Sequence, residues 1–292
     1  MPLLALIAVT AVWGVTFVQV KDAVAIYPLF AFLAVRYAIA TGALALAGGT
    51  RVRTLGRSGW TAGAVVGSLL GLGIGLQTAG LERTTVSSTG FITGLYVVFT
   101  PLLGLLLFRT HVGRAVWLGV TLAVAGLAML SGVGSGSPRG DALVLAGAAA
   151  YSLQIALMER YAPRYDPVAF TQAEMLAAFA GFAVVAVALG QVEVPRGWTV
   201  WGALLVTGIF ASALGFLVQT WAQRQISASR TAIAFAMEPV FAGIFGFWLA
   251  GDRLGVAGWG GCALIMAGIL VAEPGAGRTL GRLVGRRPAE AK

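Results

Sequence analysis

Glu238 stands in an otherwise apolar stretch, "AFAMEPVFAGIF" (Ala234 to Phe245), and Pro239 follows it at once. An ionised carboxylate is costly in apolar surroundings, and a proline is costly inside a helix. A carboxylate so placed has three chemistries open to it. It can donate as a neutral acid to a freed carbonyl, hold a substrate ammonium, or take up and release a proton. Arg36 interrupts another apolar run. Its planar fork suits a substrate carboxylate, while snorkelling toward headgroups is the plainer reading. Glu174 is a further carboxylate in such a run, and Gln77, Gln154 and Gln219 add amides for a substrate or a neighbouring helix. Trp13, Tyr96 and Tyr151 are the aromatic residues best placed for a cavity wall, with Phe99, Trp221 and Phe235 behind them. The alternative for all six is packing or interfacial anchoring.

The elements that must position these residues are set by composition. Apolar types make up 58% of the 292 residues and charged types 11%. A soluble domain carries about 25% charged residues, so the solvent for most of this chain is lipid. The 41 glycines agree with that. The net charge of +9 does not imply nucleic acid, because the basic residues sit in short loops and a tail rather than in one domain. One cysteine, Cys262, and one histidine, His111, leave no disulfide within the chain and no His/Cys metal site. No ATP-binding P-loop, H-E-x-x-H or G-x-S-x-G motif occurs. No cofactor is expected.

Apolar runs of about 20 residues read as ten spans: 3–20, 29–48, 59–80, 86–108, 113–131, 141–158, 168–190, 199–222, 228–250 and 255–272. The N-terminal run lacks a basic flank and reads as a retained first span. Short connections predict antiparallel hairpins between neighbours. One set of loops and the tail carry 14 Lys and Arg against 5 on the other side, which predicts cytoplasmic termini. Arginine outnumbers lysine 18 to 2, a bias that points to a bacterium. Gly63, Gly67, Gly71 and Gly75 make a smooth strip on span three, suited to tight helix packing.

The chain also repeats. A shift of 142 residues lays "WLGVTLAVAGLAML" (Trp117 to Leu130) on "WGGCALIMAGILVA" (Trp259 to Ala272), and Gln77-Thr78 on Gln219-Thr220. A shift of 138 pairs Trp13 with Tyr151, Arg36 with Glu174, and Thr100-Pro101 with Glu238-Pro239. The units are a five-helix repeat at 1–131, a linker at 132–140, a second repeat at 141–272 and a basic tail at 273–292. Five spans per copy make the second copy inverted relative to the first. The expected fold is an all-α polytopic membrane protein of ten helices, in two inverted five-helix halves around a central cavity. Pro101 and Pro239 predict interruptions in matching spans, which is where a transporter's binding site is sought.

Ten spans in duplicate, "WG" (Trp13-Gly14) in the first, "EPV" in the ninth and "FITGLYVVFTPLLGLLL" (Phe91 to Leu107) resemble the drug/metabolite transporter superfamily, and its EamA family in particular. The resemblance implies a non-ATP, alternating-access exporter of small polar metabolites, amino acids foremost, in a bacterial inner membrane. The residues carried into that reading are Glu238, Arg36, Trp13, Gln77, Tyr96, Tyr151, Gln154 and Gln219 for substrate. Gly14, Thr100, Pro101 and Pro239 are carried as helix breaks or hinges. One departure is Thr100, where the second copy has Glu238. The partners expected are a small-molecule substrate, the bilayer and protons as coupling ion, with monomer and homodimer both open. Efflux of lipophilic cations is the alternative, and a non-transporting membrane enzyme or scaffold the remote one.

Overall fold

The computed structural model describes residues 1–131, 137–245 and 255–272. Most of the 132–140 linker, the end of span nine and the basic tail lie outside the described residues. Every regular element among the described residues is helical. The helices are α1 Pro2–Ile26, α2 Leu29–Gly48, α3 Gly56–Leu81, α4 Val86–Gly94, α5 Tyr96–Phe108, α6 Arg114–Ser131, α7 Pro138–Tyr161 and α8 Pro167–Ala188. They continue with α9 Gly197–Leu205, a π-helical segment Val206–Leu214, α10 Gly215–Ala222, α11 Ala228–Phe235, α12 Glu238–Phe245 and α13 Val256–Ala272. Six helical stretches among the described residues are long and apolar enough to cross a membrane.

Local sequence explains the ends. Pro2, Pro138 and Pro167 occupy first helical turns, where the missing N–H costs nothing. Asp166 caps α8 by accepting from Ala169 N at 3.0 Å. Thr85 and Ser227 cap α4 and α11 in the same way, through Ser88 N and Arg230 N. Gly14 lies inside α1, which runs unbroken through it, so the expected hinge there is not a break.

Chain neighbours are not the main packing partners, contrary to the hairpin expectation. The main partner of α2 is α8, α3 lies against α7 and α8, and α6 lies against α13. Small residues make this arrangement. A methyl on Gly63 would sit 2.7 Å from Ala173 Cβ, and one on Gly67 would overlap the Glu174 carbonyl. The span-three glycine strip is thus a bed for α8.

The close approaches come in exchanged pairs. A methyl added at Gly119 would sit 2.7 Å from the Gly268 carbonyl and one at Gly126 2.5 Å from the Gly261 carbonyl, while a shift of 142 carries 119 to 261 and 126 to 268. A methyl at Gly73 would come within 2.8 Å of the Tyr151 ring, and one at Gly215 within 2.9 Å of the Trp13 indole. A methyl at Gly67 would overlap the Glu174 carbonyl, and one at Gly208 would sit 3.0 Å from that of Arg36. The offset is therefore 138 for α1 and α2, 141 at Gly67 and Gly208, and 142 from Gly73 and Gly215 onward, the extra residue falling in the π-helical segment.

That offset corrects the proline pairing. The break in span four falls at Leu95, between α4 and α5, with Pro101 inside α5. The break in span nine falls at Ala236 and Met237, and Pro239 sits in the first turn of α12. At the offset of 142, the counterpart of Glu238 is Tyr96, the residue that opens α5. The Thr-Pro and Glu-Pro pairs are one helical turn out of step. Pro239 marks its break because Phe235, whose carbonyl it leaves free, ends α11.

Candidate functional site

Two ends of the bundle frame the site. At one, Leu55 and Val66 pack with Met158, Ala162 and Phe170 in one cluster, and Ala228 N donates to Glu159 Oε2 at 2.8 Å. This end, end A, holds the α2–α3, α7–α8 and α10–α11 connections. At the other, end B, Tyr27 OH donates to the Glu193 carbonyl at 2.6 Å, and Phe30 N to Gln191 Oε1 at 3.0 Å. Thr84 Oγ1 donates there to Asp141 Oδ1 at 2.7 Å.

Between the ends lies a cavity with about 720 Å³ of non-atom space. Its wall takes in all eight substrate residues expected from sequence: Trp13, Arg36, Gln77, Tyr96, Tyr151, Gln154, Gln219 and Glu238. Phe235 also lines it, whereas Phe99, Trp221 and Glu174 do not. Gly14, Thr100, Pro101 and Pro239 are absent from the lining. Thr100 is buried with an unpartnered hydroxyl.

Each polar group is held in a definite way. Arg36 Nε donates to Ser212 Oγ at 2.8 Å, and Trp13 Nε1 to the Ala211 carbonyl at 2.8 Å. Both partners belong to the π-helical segment, whose wider turn redirects the backbone carbonyls. Tyr151 OH donates to Gln77 Oε1 at 2.8 Å, and Gln77 Nε2 to Thr93 Oγ1 at 2.9 Å. The Tyr96 hydroxyl is buried and has no partner. Phe235 packs against Trp13 at 4.8 Å and edge-on against Tyr96 at 6.3 Å between centroids. Glu238 begins α12 and faces this aromatic floor, 9% exposed. Arg36 and Glu238 line one cavity without forming an ion pair. A guanidinium and a carboxylate held apart can each take a charged group of the opposite sign.

Sequence reasoning missed Thr16, Phe17, Val20, Ile74, Thr78, Leu81, Thr93, Ile155 and Phe216 in the wall. The repeat could have found several. Thr16 is the counterpart of Gln154, and Ile74 of Phe216, at the offsets given above. Among the described residues no three His, Cys, Asp or Glu side chains cluster as metal ligands would.

The model of the EamA-like transporter family matches residues 1–132 and again residues 138–272. An uncharacterized transporter from Archaeoglobus fulgidus is 31% identical over 273 residues, covering 92% of this chain and 84% of that protein. The uncharacterized transporter YyaM of Bacillus subtilis is 25% identical over 205 residues, covering 66% of each. A solved crystal structure matches 95% of this chain and 98% of its own, with a TM-score of 0.78 and 21% identity. That likeness speaks for the fold.

Proposed function

This chain belongs to the EamA-like transporter family, within the drug/metabolite transporter superfamily, and from that premise we propose that it exports small zwitterionic metabolites, amino acids with aromatic or large apolar side chains foremost. It is a multi-pass membrane protein, and a secondary transporter needs no ATP motif. The observation that carries the reading is the pairing of opposite charges, Arg36 and Glu238, in one cavity walled by Trp13, Tyr96, Tyr151 and Phe235. Arg36 takes the substrate carboxylate, Glu238 its ammonium, and the rings take the side chain.

The frame is ten helices in two inverted five-helix halves, working by alternating access. The exchanged glycine contacts support it, since residue i meeting j′ while j meets i′ is the mark of a two-fold relation. The excess of basic residues on the loops of end A and in the tail supports cytoplasmic termini in a bacterial inner membrane. Protons are the proposed coupling ion, with Glu238 as their exchange site.

Lipophilic-cation efflux is disfavoured by Arg36, a buried guanidinium lining the space a cation would fill. Counterflow in proteoliposomes tests the choice. Labelled phenylalanine, tryptophan or leucine exchanges through the wild-type protein and not through Glu238→Gln. Exchange of ethidium without exchange of any amino acid overturns the reading.

A further inference from the structure

Glu174 and Gln223 have no place in substrate binding, yet both are buried polar groups tied to the cavity's floor. Gln223 Nε2 donates to the Ile155 carbonyl at 2.8 Å. Gln219 Nε2 donates to Gln223 Oε1 at 2.8 Å and to Gln154 Oε1 at 3.1 Å. Gln154 Nε2 donates to Glu174 Oε1 at 2.7 Å. The chain joins α7, α8 and the end of α10, and each of the four side chains is at most 2% exposed.

The matched positions of the other half carry no such chain. At the offsets set by the glycine contacts, Glu174, Gln154, Gln219 and Gln223 answer to Arg36, Thr16, Gln77 and Leu81. Leu81 cannot relay a hydrogen bond, and Gln77 turns to Thr93 and Tyr151 instead. The cavity follows this difference. It reaches Val20, Thr78 and Leu81 toward end B. Their counterparts Met158, Thr220 and Gln223, toward end A, are absent from its lining. The cavity is thus displaced toward end B within a frame of two matched halves.

We propose that the Glu174–Gln154–Gln219–Gln223 chain is the latch that holds the cavity closed at end A, and that parting it is the step that opens the cavity there. The inference rests on the alternating-access part of the reading above, not on the choice of substrate. Two acceptors in the chain, Glu174 Oε2 and Gln219 Oε1, lack partners. Bare buried acceptors weaken the closed state, which is what a latch that must release requires. Because Gln154 and Gln219 also line the cavity, an occupant that bonds either amide competes with the latch directly.

Cysteine reactivity tests the latch without a substrate. Cys262, the one cysteine of the chain, is replaced by serine, and Val20→Cys or Met158→Cys is added as reporter for end B or end A. In the latched protein, Val20→Cys reacts with a water-soluble maleimide and Met158→Cys is protected. Gln223→Leu installs the residue found at the matched position. It raises labelling of Met158→Cys by about five- to tenfold, the weight of one or two net hydrogen bonds, and lowers labelling of Val20→Cys. Gln172→Leu, at a half-buried residue outside the chain whose buried Oε1 lacks a partner, leaves both reporters unchanged. Protection of Met158→Cys that persists in Gln223→Leu overturns the proposal. So does reactivity rising at both reporters together, which is loosened packing rather than an opened end. Failure of amino-acid counterflow with reciprocal labelling intact would remove the substrate and leave the latch.

Discussion

The two matched halves of the chain share their close glycine approaches and carry unlike side chains where it matters. Gly67 lies on the Glu174 carbonyl as Gly208 lies on that of Arg36, and Gly73 lies on Tyr151 as Gly215 lies on Trp13. At the same matched places the chemistry diverges. Arg36 answers Glu174, Tyr96 answers Glu238, and Leu81 answers Gln223. Packing constrains both copies alike, because backbones in contact tolerate no added atom. Side chains facing the cavity are free of that constraint, and there one copy has taken a cation, Arg36, and the other a carboxylate, Glu238. A duplicated chain thereby holds an asymmetric site, the kind that the proposed zwitterionic substrate requires.

The largest expected effect falls on the shared scaffold. Gly67→Val forces a branched side chain into the Glu174 backbone, and overpacking of that kind costs about 1–3 kcal/mol, with more where backbone must move. Gly208→Val at the matched place should behave alike, while Gly181→Ala, with nothing within 4 Å, should leave thermal unfolding in detergent unchanged. A large effect at only one of the matched pair would break the equivalence of the halves.

The amides come next and should separate the halves. Gln219→Leu strips donors from Gln154 Oε1 and Gln223 Oε1, side chains at most 2% exposed, at about 1–3 kcal/mol. Gln77→Leu frees Thr93 and Tyr151, which border the cavity and can turn to water, so the loss should stay below about 1 kcal/mol. Denaturation of the two variants side by side decides it. Equal losses would mean that both ends are equally sealed.

A smaller effect is expected at Tyr96→Phe. Its hydroxyl has no protein partner, so stability should hold or rise slightly, and ligand affinity alone should fall. The smallest lies at the rim of end B. Partial burial raises the Glu82 carboxyl above its ordinary 4.5, offset by Arg83. A raised carboxyl favours the folded state below the ordinary value and loses that favour as pH climbs through the folded one. Glu82→Gln should remove this slight decline just above pH 4.5 in a thermal-unfolding series.

Much of this was legible in the sequence for physical reasons. Lipid demands long apolar runs, so the spans stood out; boundaries such as Leu29–Gly48 and Val256–Ala272 fall within a residue of expectation. Polar residues in such runs are few because they are costly, which is why all eight substrate candidates line one cavity. What escaped is what periodicity does not encode. The π-helical segment that holds Trp13 and Arg36 has no composition of its own. The Thr-Pro and Glu-Pro match misled because Pro101 sits inside a helix and Pro239 starts one. Packing partners escaped too, since short loops fix chain direction but not which helices touch.

The zwitterion site is tested most directly by binding of phenylalanine, phenethylamine and hydrocinnamate to wild type, Arg36→Met and Glu238→Gln, read by calorimetry. Wild type should prefer phenylalanine over both analogues by about ten- to hundredfold, the weight of a charged hydrogen bond. Arg36→Met should lose the preference over phenethylamine alone, and Glu238→Gln the preference over hydrocinnamate alone. Equal binding of the three compounds by wild type, or loss of both preferences in each variant, would contradict a site that holds opposite charges at Arg36 and Glu238.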